Sequence, residues 1–137
     1  MTYLLDTSVW VRAANAQATL PPRALNILET PGEVFGLSAI SLWEVAKKVQ
    51  RGKLRLPKRI ENWFEDALAA NIQIIPLSTR VVIDATSLPR FPLRDPADEL
   101  IVATARTFSL TLLTTDTKLK HYTYAQIQYF APRIPAS

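Results

Sequence analysis

Short apolar runs alternate with longer stretches of helical periodicity along this chain of 137 residues. The short runs are Tyr3-Leu4-Leu5, Val34-Phe35-Gly36-Leu37, Gln73-Ile74-Ile75, Leu112-Leu113-Thr114 and Ile127-Gln128-Tyr129-Phe130. Runs this short and this continuously apolar suit strands of a parallel sheet covered on both faces. Between them, residues 21–29, 39–51, 57–70, 79–88 and 96–108 read as helices. In the second of these, Leu42, Val45, Ala46 and Val49 fall at i, i+3, i+4 and i+7, and Gly52 follows as a stop. Ile60, Trp63, Phe64, Ala67 and Leu68 make a second stripe, and Thr79 is the expected N-cap of the fourth helix. Residues 96–108 form the most apolar helix and so the most buried, entered through a proline-punctuated loop over 88–94. The alternation predicts an α/β protein: one α/β/α domain over 1–137, a central and mostly parallel sheet of about five short strands, and an irregular tail from about 131.

Acidic residues are few, 12 in all, so their positions are informative. Asp6 directly follows the first predicted strand and Asp116 follows a later one; each is followed by threonine. In open parallel sheets, ligands bind in the crevice at the carboxyl ends of the strands. The two aspartates would converge there, although each also suits the cap of the turn or helix that follows. Asp95-Pro96 is a good helix start, which makes Asp98 the third helical residue, welcome to the helix dipole. Asp98 also shares a stripe with Ile101, Val102 and Ala105, whereas Glu99, Ala103 and Arg106 read as the wetter face. An inward carboxylate costs several kcal/mol unless paired or bound to a cation, and that stripe carries no basic residue. Glu44 lies opposite the apolar stripe of its own helix, with Lys48 at i+4. A solvated ion pair, or a capping box with Ser41, explains it without chemistry.

Composition narrows the chemistry further. There is no cysteine and one histidine, His121, so a thiol nucleophile, a disulfide framework and a site of two imidazoles are all excluded. A bound metal would be held by oxygen, which favours Mg²⁺ or Mn²⁺. Several carboxylates at one sheet end would repel one another without such an ion. With it, the cluster suits phosphoryl chemistry, in which positioning and charge neutralisation do most of the catalysis. In that picture Asp6, Asp98 and Asp116 ligate the metal, while Glu44 binds a second ion or positions the attacking water. Net charge is +4, and Arg51, Lys53, Arg55, Lys58 and Arg59 fall within nine residues, a patch able to face phosphates or simply to be solvated. Trp10, Trp43 and Trp63 are expected in core or dimer packing rather than on bases. No apolar run approaches the length of a bilayer span, and the first residues lack the basic start of a signal peptide, so a cytoplasmic protein is expected.

Four segments occur in a telling order: Tyr3-Leu4-Leu5-Asp6-Thr7-Ser8, Ser38-Ala39-Ile40-Ser41-Leu42-Trp43-Glu44-Val45, Asp95-Pro96-Ala97-Asp98-Glu99-Leu100-Ile101-Val102-Ala103-Thr104-Ala105 and Leu112-Leu113-Thr114-Thr115-Asp116. Together they resemble the PIN-domain family, in particular the VapC-like toxins of type II toxin–antitoxin modules. The segment Arg51-Gly52-Lys53-Leu54-Arg55-Leu56-Pro57 resembles one that many such toxins carry after the glutamate helix. The resemblance implies Mg²⁺- or Mn²⁺-dependent endoribonuclease activity on RNA, dimerisation, and neutralisation by a small antitoxin that inserts a peptide near the active site. It maps the family's acidic quartet to Asp6, Glu44, Asp98 and Asp116. It gives Thr7 or Ser8 and Thr114 supporting hydroxyl roles and leaves Asp95 peripheral. The family commonly has arginine directly after its third acid; here that position is Glu99, where an altered surface contact is expected.

Three other readings compete. A receiver domain would want an adjacent acidic pair near the first strand and a lysine after a late one, and this chain offers neither. A catalytically inactive PIN-like module that binds RNA or protein gains little support when all four acids are present. A DNA-directed metal-dependent nuclease is disfavoured by the lack of inserted DNA-gripping segments.

Overall fold

The computed structural model describes residues 1–68 and 71–134. Five strands, β1 (Tyr3–Leu5), β2 (Phe35–Ser38), β3 (Ile72–Ile75), β4 (Thr111–Thr114) and β5 (Ile127–Tyr129), form one sheet in the order β3-β2-β1-β4-β5. Every pairing is parallel; Leu4, for example, stands opposite Gly36 on one side and Leu112 on the other. Six helices accompany it: α1 (Thr7–Asn15), α2 (Pro22–Leu28), α3 (Ala39–Gln50), α4 (Ile60–Ala67), α5 (Thr79–Ala85) and α6 (Pro96–Thr107).

Because successive strand residues face opposite sides of a sheet, each strand feeds two cores. Leu5, Leu37 and Leu113 join Val9, Trp10 and Trp63 on one face, while Leu4 and Leu112 join Ile101 and Val102 on the other. The first core holds an aromatic group in which Trp10 meets Trp63 edge-on at 5.0 Å and stacks on Phe64 at 6.3 Å. Both indoles also spend their N–H groups: Trp10 Nε1 donates to the Ala67 carbonyl at 2.9 Å and Trp63 Nε1 to Asn15 Oδ1 at 2.6 Å. Gly36 lies where β2 passes close under its neighbours, and a Cβ there would stand 2.8 Å from Ile75 Cδ1, a side-chain end that would have to shift.

The parallel α/β/α expectation holds, and several particulars are corrected. Helix α1 is absent from the sequence pattern; Asp6 directly follows β1 and is the N-cap of α1. The side-chain cap of α3 is Ser38, not Ser41, and that of α5 is Ser78, not Thr79. Helix α4 begins at Ile60 rather than 57, and the last part of its expected range, 69–70, lies outside the described residues, as do 135–137 of the expected tail. The face expected to be wet on α6 is not: Ala103 is fully buried against Val81 and Ala85 of α5, and Arg106 forks onto Asp84 at 2.8 and 3.1 Å. Short α5 covers that face, so the polar ends at Glu99 and Arg106 misled the periodicity. Among the described residues, no helix is long and apolar enough to cross a membrane.

Candidate active site

The chain leaves β1 toward β2 and β3 on one side, then returns to β4 and β5 on the other. The strand order therefore switches between β1 and β4, and the connections diverge from their carboxyl ends to leave a crevice. Asp6 leaves the end of β1, and Asp116 follows β4 by two residues. Glu44 sits in the second turn of α3, whose N-terminus follows β2 without a break. Asp98 is the third residue of α6, capped by Asp95. These four carboxylates, with Thr7, Ser8, Lys48, Asp95 and Thr115, line one cleft of about 290 Å³.

Hydroxyls hold the cleft in shape. Thr114, fully buried at the end of β4, donates its hydroxyl to Asp6 Oδ2 at 2.6 Å and accepts the Asp116 N–H at 3.0 Å. One side chain thus fixes two of the acids across the β1–β4 pair. The other oxygen of Asp6 accepts the Thr7 N–H at 2.9 Å, at the start of α1. Thr7 Oγ1 donates to Glu44 Oε1 at 2.5 Å, which leaves Ser41 Oγ, 2.8 Å away, to donate to Thr7. Ser8 and Thr115 hydroxyls meet at 2.8 Å on the rim.

The electrostatics are strained in one direction. Burial raises the pKa of Asp6 and outweighs the Thr114 and Thr7 hydrogen bonds that lower it. Burial also raises Glu44, against the Thr7 hydroxyl and the charge of Lys48. Asp98 is raised to about 7, first by desolvation and then by the charges of Asp6, Asp95, Glu44 and Asp116. Among the described residues Asp98 has no ion-pair partner, and no three Asp, Glu or His side chains stand close enough to close on one ion. The donor set still fits a hard divalent cation: carboxylate oxygens from four elements face one small space, with neither thiolate nor imidazole among them.

All the residues singled out from the sequence, Asp6, Thr7, Ser8, Glu44, Asp95, Asp98, Thr114 and Asp116, are in or directly behind this cleft. The solvated Glu44–Lys48 pair and the Ser41 capping box are not what holds Glu44; Thr7 is. Ser41 is a further supporting hydroxyl, and its full burial among the apolar residues that open α3 is a signal only once the fold is known. Lys48 was seen only as a partner of Glu44, yet it lines the cleft itself. Of the basic run, Lys58 pairs with Asp66 and Arg59 lies 3.6 Å from Glu61, so that part is a solvated face.

A five-strand parallel sheet flanked by helices, with acids at its carboxyl edge, defines an α/β/α class with an acidic cleft at the strand switch point. The chain belongs to the PIN domain family, which it matches over residues 3–123. Among curated relatives it is similar to "Ribonuclease VapC22" of Mycobacterium tuberculosis, 29% identical over 121 residues, covering 88% of this chain and 92% of that one. Among solved structures it resembles VapBC2 from Rickettsia felis bound to a promoter DNA fragment: TM-score 0.74, 22% identity, 95% of this chain and 99% of that one. FitAcB from Neisseria gonorrhoeae gives a TM-score of 0.66 at 25% identity, covering 92% and 96%.

Proposed function

We propose that the protein is a divalent-metal-dependent endoribonuclease, one PIN domain over 1–137, acting in the cytoplasm as the toxin of a toxin–antitoxin pair. The observation that carries the nuclease reading is the convergence of Asp6, Glu44, Asp98 and Asp116, from four separate elements, on one cleft at the strand switch point. Asp6, Asp98 and Asp116 would hold Mg²⁺ or Mn²⁺. The ion, when bound, neutralises these carboxylates and stabilises charge on the phosphodiester. Thr114 keeps Asp6 turned into the cleft and fixes the backbone of Asp116. Thr7 occupies Glu44 Oε1, leaving Oε2 to orient the attacking water and take its proton, or to meet a second ion.

The toxin role, RNA as substrate and a small antitoxin partner are supported by the relative named a ribonuclease and by the VapBC fold neighbour, and dimerisation by the family resemblance. The test is cleavage of total RNA and of single-stranded DNA by purified protein with Mg²⁺, with Mn²⁺ and with EDTA. RNA should be cut only with metal, and Asp6→Asn and Asp98→Asn should lose at least a hundredfold in rate. Full cleavage by Asp98→Asn, or preference for DNA, would overturn the assignment. Expression alone should slow growth of a bacterial host, and co-expression of a neighbouring small protein should relieve it.

A further inference from the structure

Helix α3 carries Trp43 and Lys47 at i and i+4 and ends on its C-cap Arg51 at i+8, so the three lie on one side. Trp43 is 56% exposed, whereas Trp10 and Trp63 are each 2% exposed. It lines a groove of about 510 Å³ together with Ile40, Pro96 and Ala97. That groove shares Glu44, Lys48 and Asp95 with the carboxylate cleft, so it is a continuation of the candidate active site. Lys48 and Arg51 have no carboxylate within ion-pair distance among the described residues. An exposed indole beside Lys48, Arg51 and Lys47, whose ammonium donates to Gln50 Oε1 at 2.7 Å, running out of the acidic cleft, offers both a stacking plane and phosphate contacts.

We propose that this groove is the subsite for a nucleotide next to the scissile phosphate of single-stranded RNA, an inference that rests on the nuclease reading above. Trp43 stacks the base, and Lys47, Lys48 and Arg51 hold the flanking phosphates. The strand must be single, because a paired base has no free face to offer the indole. A second copy of the chain fits less well, since a two-fold contact centred on Trp43 would bring Lys47 and Arg51 toward their own copies, juxtaposing like charges. The placement makes Trp43 a specificity-determining residue, favouring bases that stack strongly at one position beside the cut.

The experiment uses the Asp98→Asn chain, which should not cut, with Mg²⁺ and a mixed-sequence single-stranded RNA of about 12 nucleotides. Binding is followed by intrinsic tryptophan fluorescence and by anisotropy of a 5′-labelled RNA. RNA should quench a fraction of the fluorescence that Trp43→Ala removes. Trp43→Ala should weaken binding about 5- to 150-fold, and Trp43→Phe should restore most of it. Arg51→Ala should flatten the dependence of log affinity on log salt by about 0.7. Equal affinity of Trp43→Ala and its parent, in a protein whose wild type cuts RNA, would overturn this inference and leave the nuclease reading standing. Conversion of a dimer to a monomer by Trp43→Ala, with RNA affinity unchanged, would assign the face to a second copy and also overturn it. Failure of the wild type to bind or cut RNA at all would overturn both.

Discussion

Removing the charge of Asp98 should make the metal-free protein more stable, although it should destroy activity. The carboxyl is raised to about 7 by desolvation and by four neighbouring carboxylates, roughly a thousandfold tighter hold on its proton than in the unfolded chain, or about 4 kcal/mol at most. Partial solvation of Asp98 halves that to about 2 kcal/mol. A carboxyl whose folded pKa lies above its unfolded value stabilises the fold only while it is protonated. Its contribution is therefore present below about pH 4 and is lost as pH rises through about 7. Asp6 and Glu44 are raised as well and act in the same direction. In EDTA, wild-type protein should unfold at a higher temperature at pH 5.5 than at pH 8. Asp98→Asn at pH 8 should gain about 2 kcal/mol over wild type, about 6 °C in Tm for a chain of this size. Thermal unfolding followed by circular dichroism reads both. A wild type more stable at pH 8 than at 5.5 in EDTA, or an Asp98→Asn variant less stable than wild type at pH 8, would refute the reasoning.

Thr114→Val keeps the shape of a fully buried side chain but leaves Asp6 Oδ2 and the Asp116 N–H without their partner. It should cost about 1–3 kcal/mol in urea unfolding and lower metal affinity together with it. Thr7→Val frees Glu44 Oε1 from its hydroxyl and should lower kcat about tenfold or more with little change in metal affinity, read from rates at saturating metal. Gly36→Ala places a Cβ 2.8 Å from Ile75 Cδ1, 3.0 Å from Met1 Sδ and 3.2 Å from Leu4 Cδ1. All three are side-chain atoms able to yield, so the loss should be about 1 kcal/mol in the urea midpoint, not loss of the fold.

What the sequence discloses depends on whether one period carries the signal. The strands at Leu4 and Leu112 are legible because burial on both faces makes them continuously apolar, whereas edge strand β5 is only half-buried. Helix α1 is not, because Asp6 and Thr7 close the strand and open the helix within two residues, and the polar Arg12 and Asn15 hide the Val9–Trp10–Ala13 stripe. Pattern alone finds Asp98, whose stripe aims it inward. It mistakes Glu44, because the group that orients it, Thr7, lies 37 residues away on another element. The same holds for Thr114, whose link to Asp6 spans 108 residues. Local spacing cannot show such contacts; the order of the four acidic segments, through family resemblance, does. The supposed wet face of α6 fails for a related reason: the short preceding helix α5 covers it.

The proposed activity requires these carboxylates to share a divalent ion, and Mn²⁺ binding tests that without recourse to catalysis. Titration calorimetry, or the loss of free Mn²⁺ signal in electron paramagnetic resonance, should be run at pH 7.5 on wild type and Asp98→Asn. Saturable binding by wild type, weakened at least tenfold in Asp98→Asn while the variant stays folded, is the predicted result. Equal Mn²⁺ affinity in the two proteins, or no saturable binding by wild type, would contradict it.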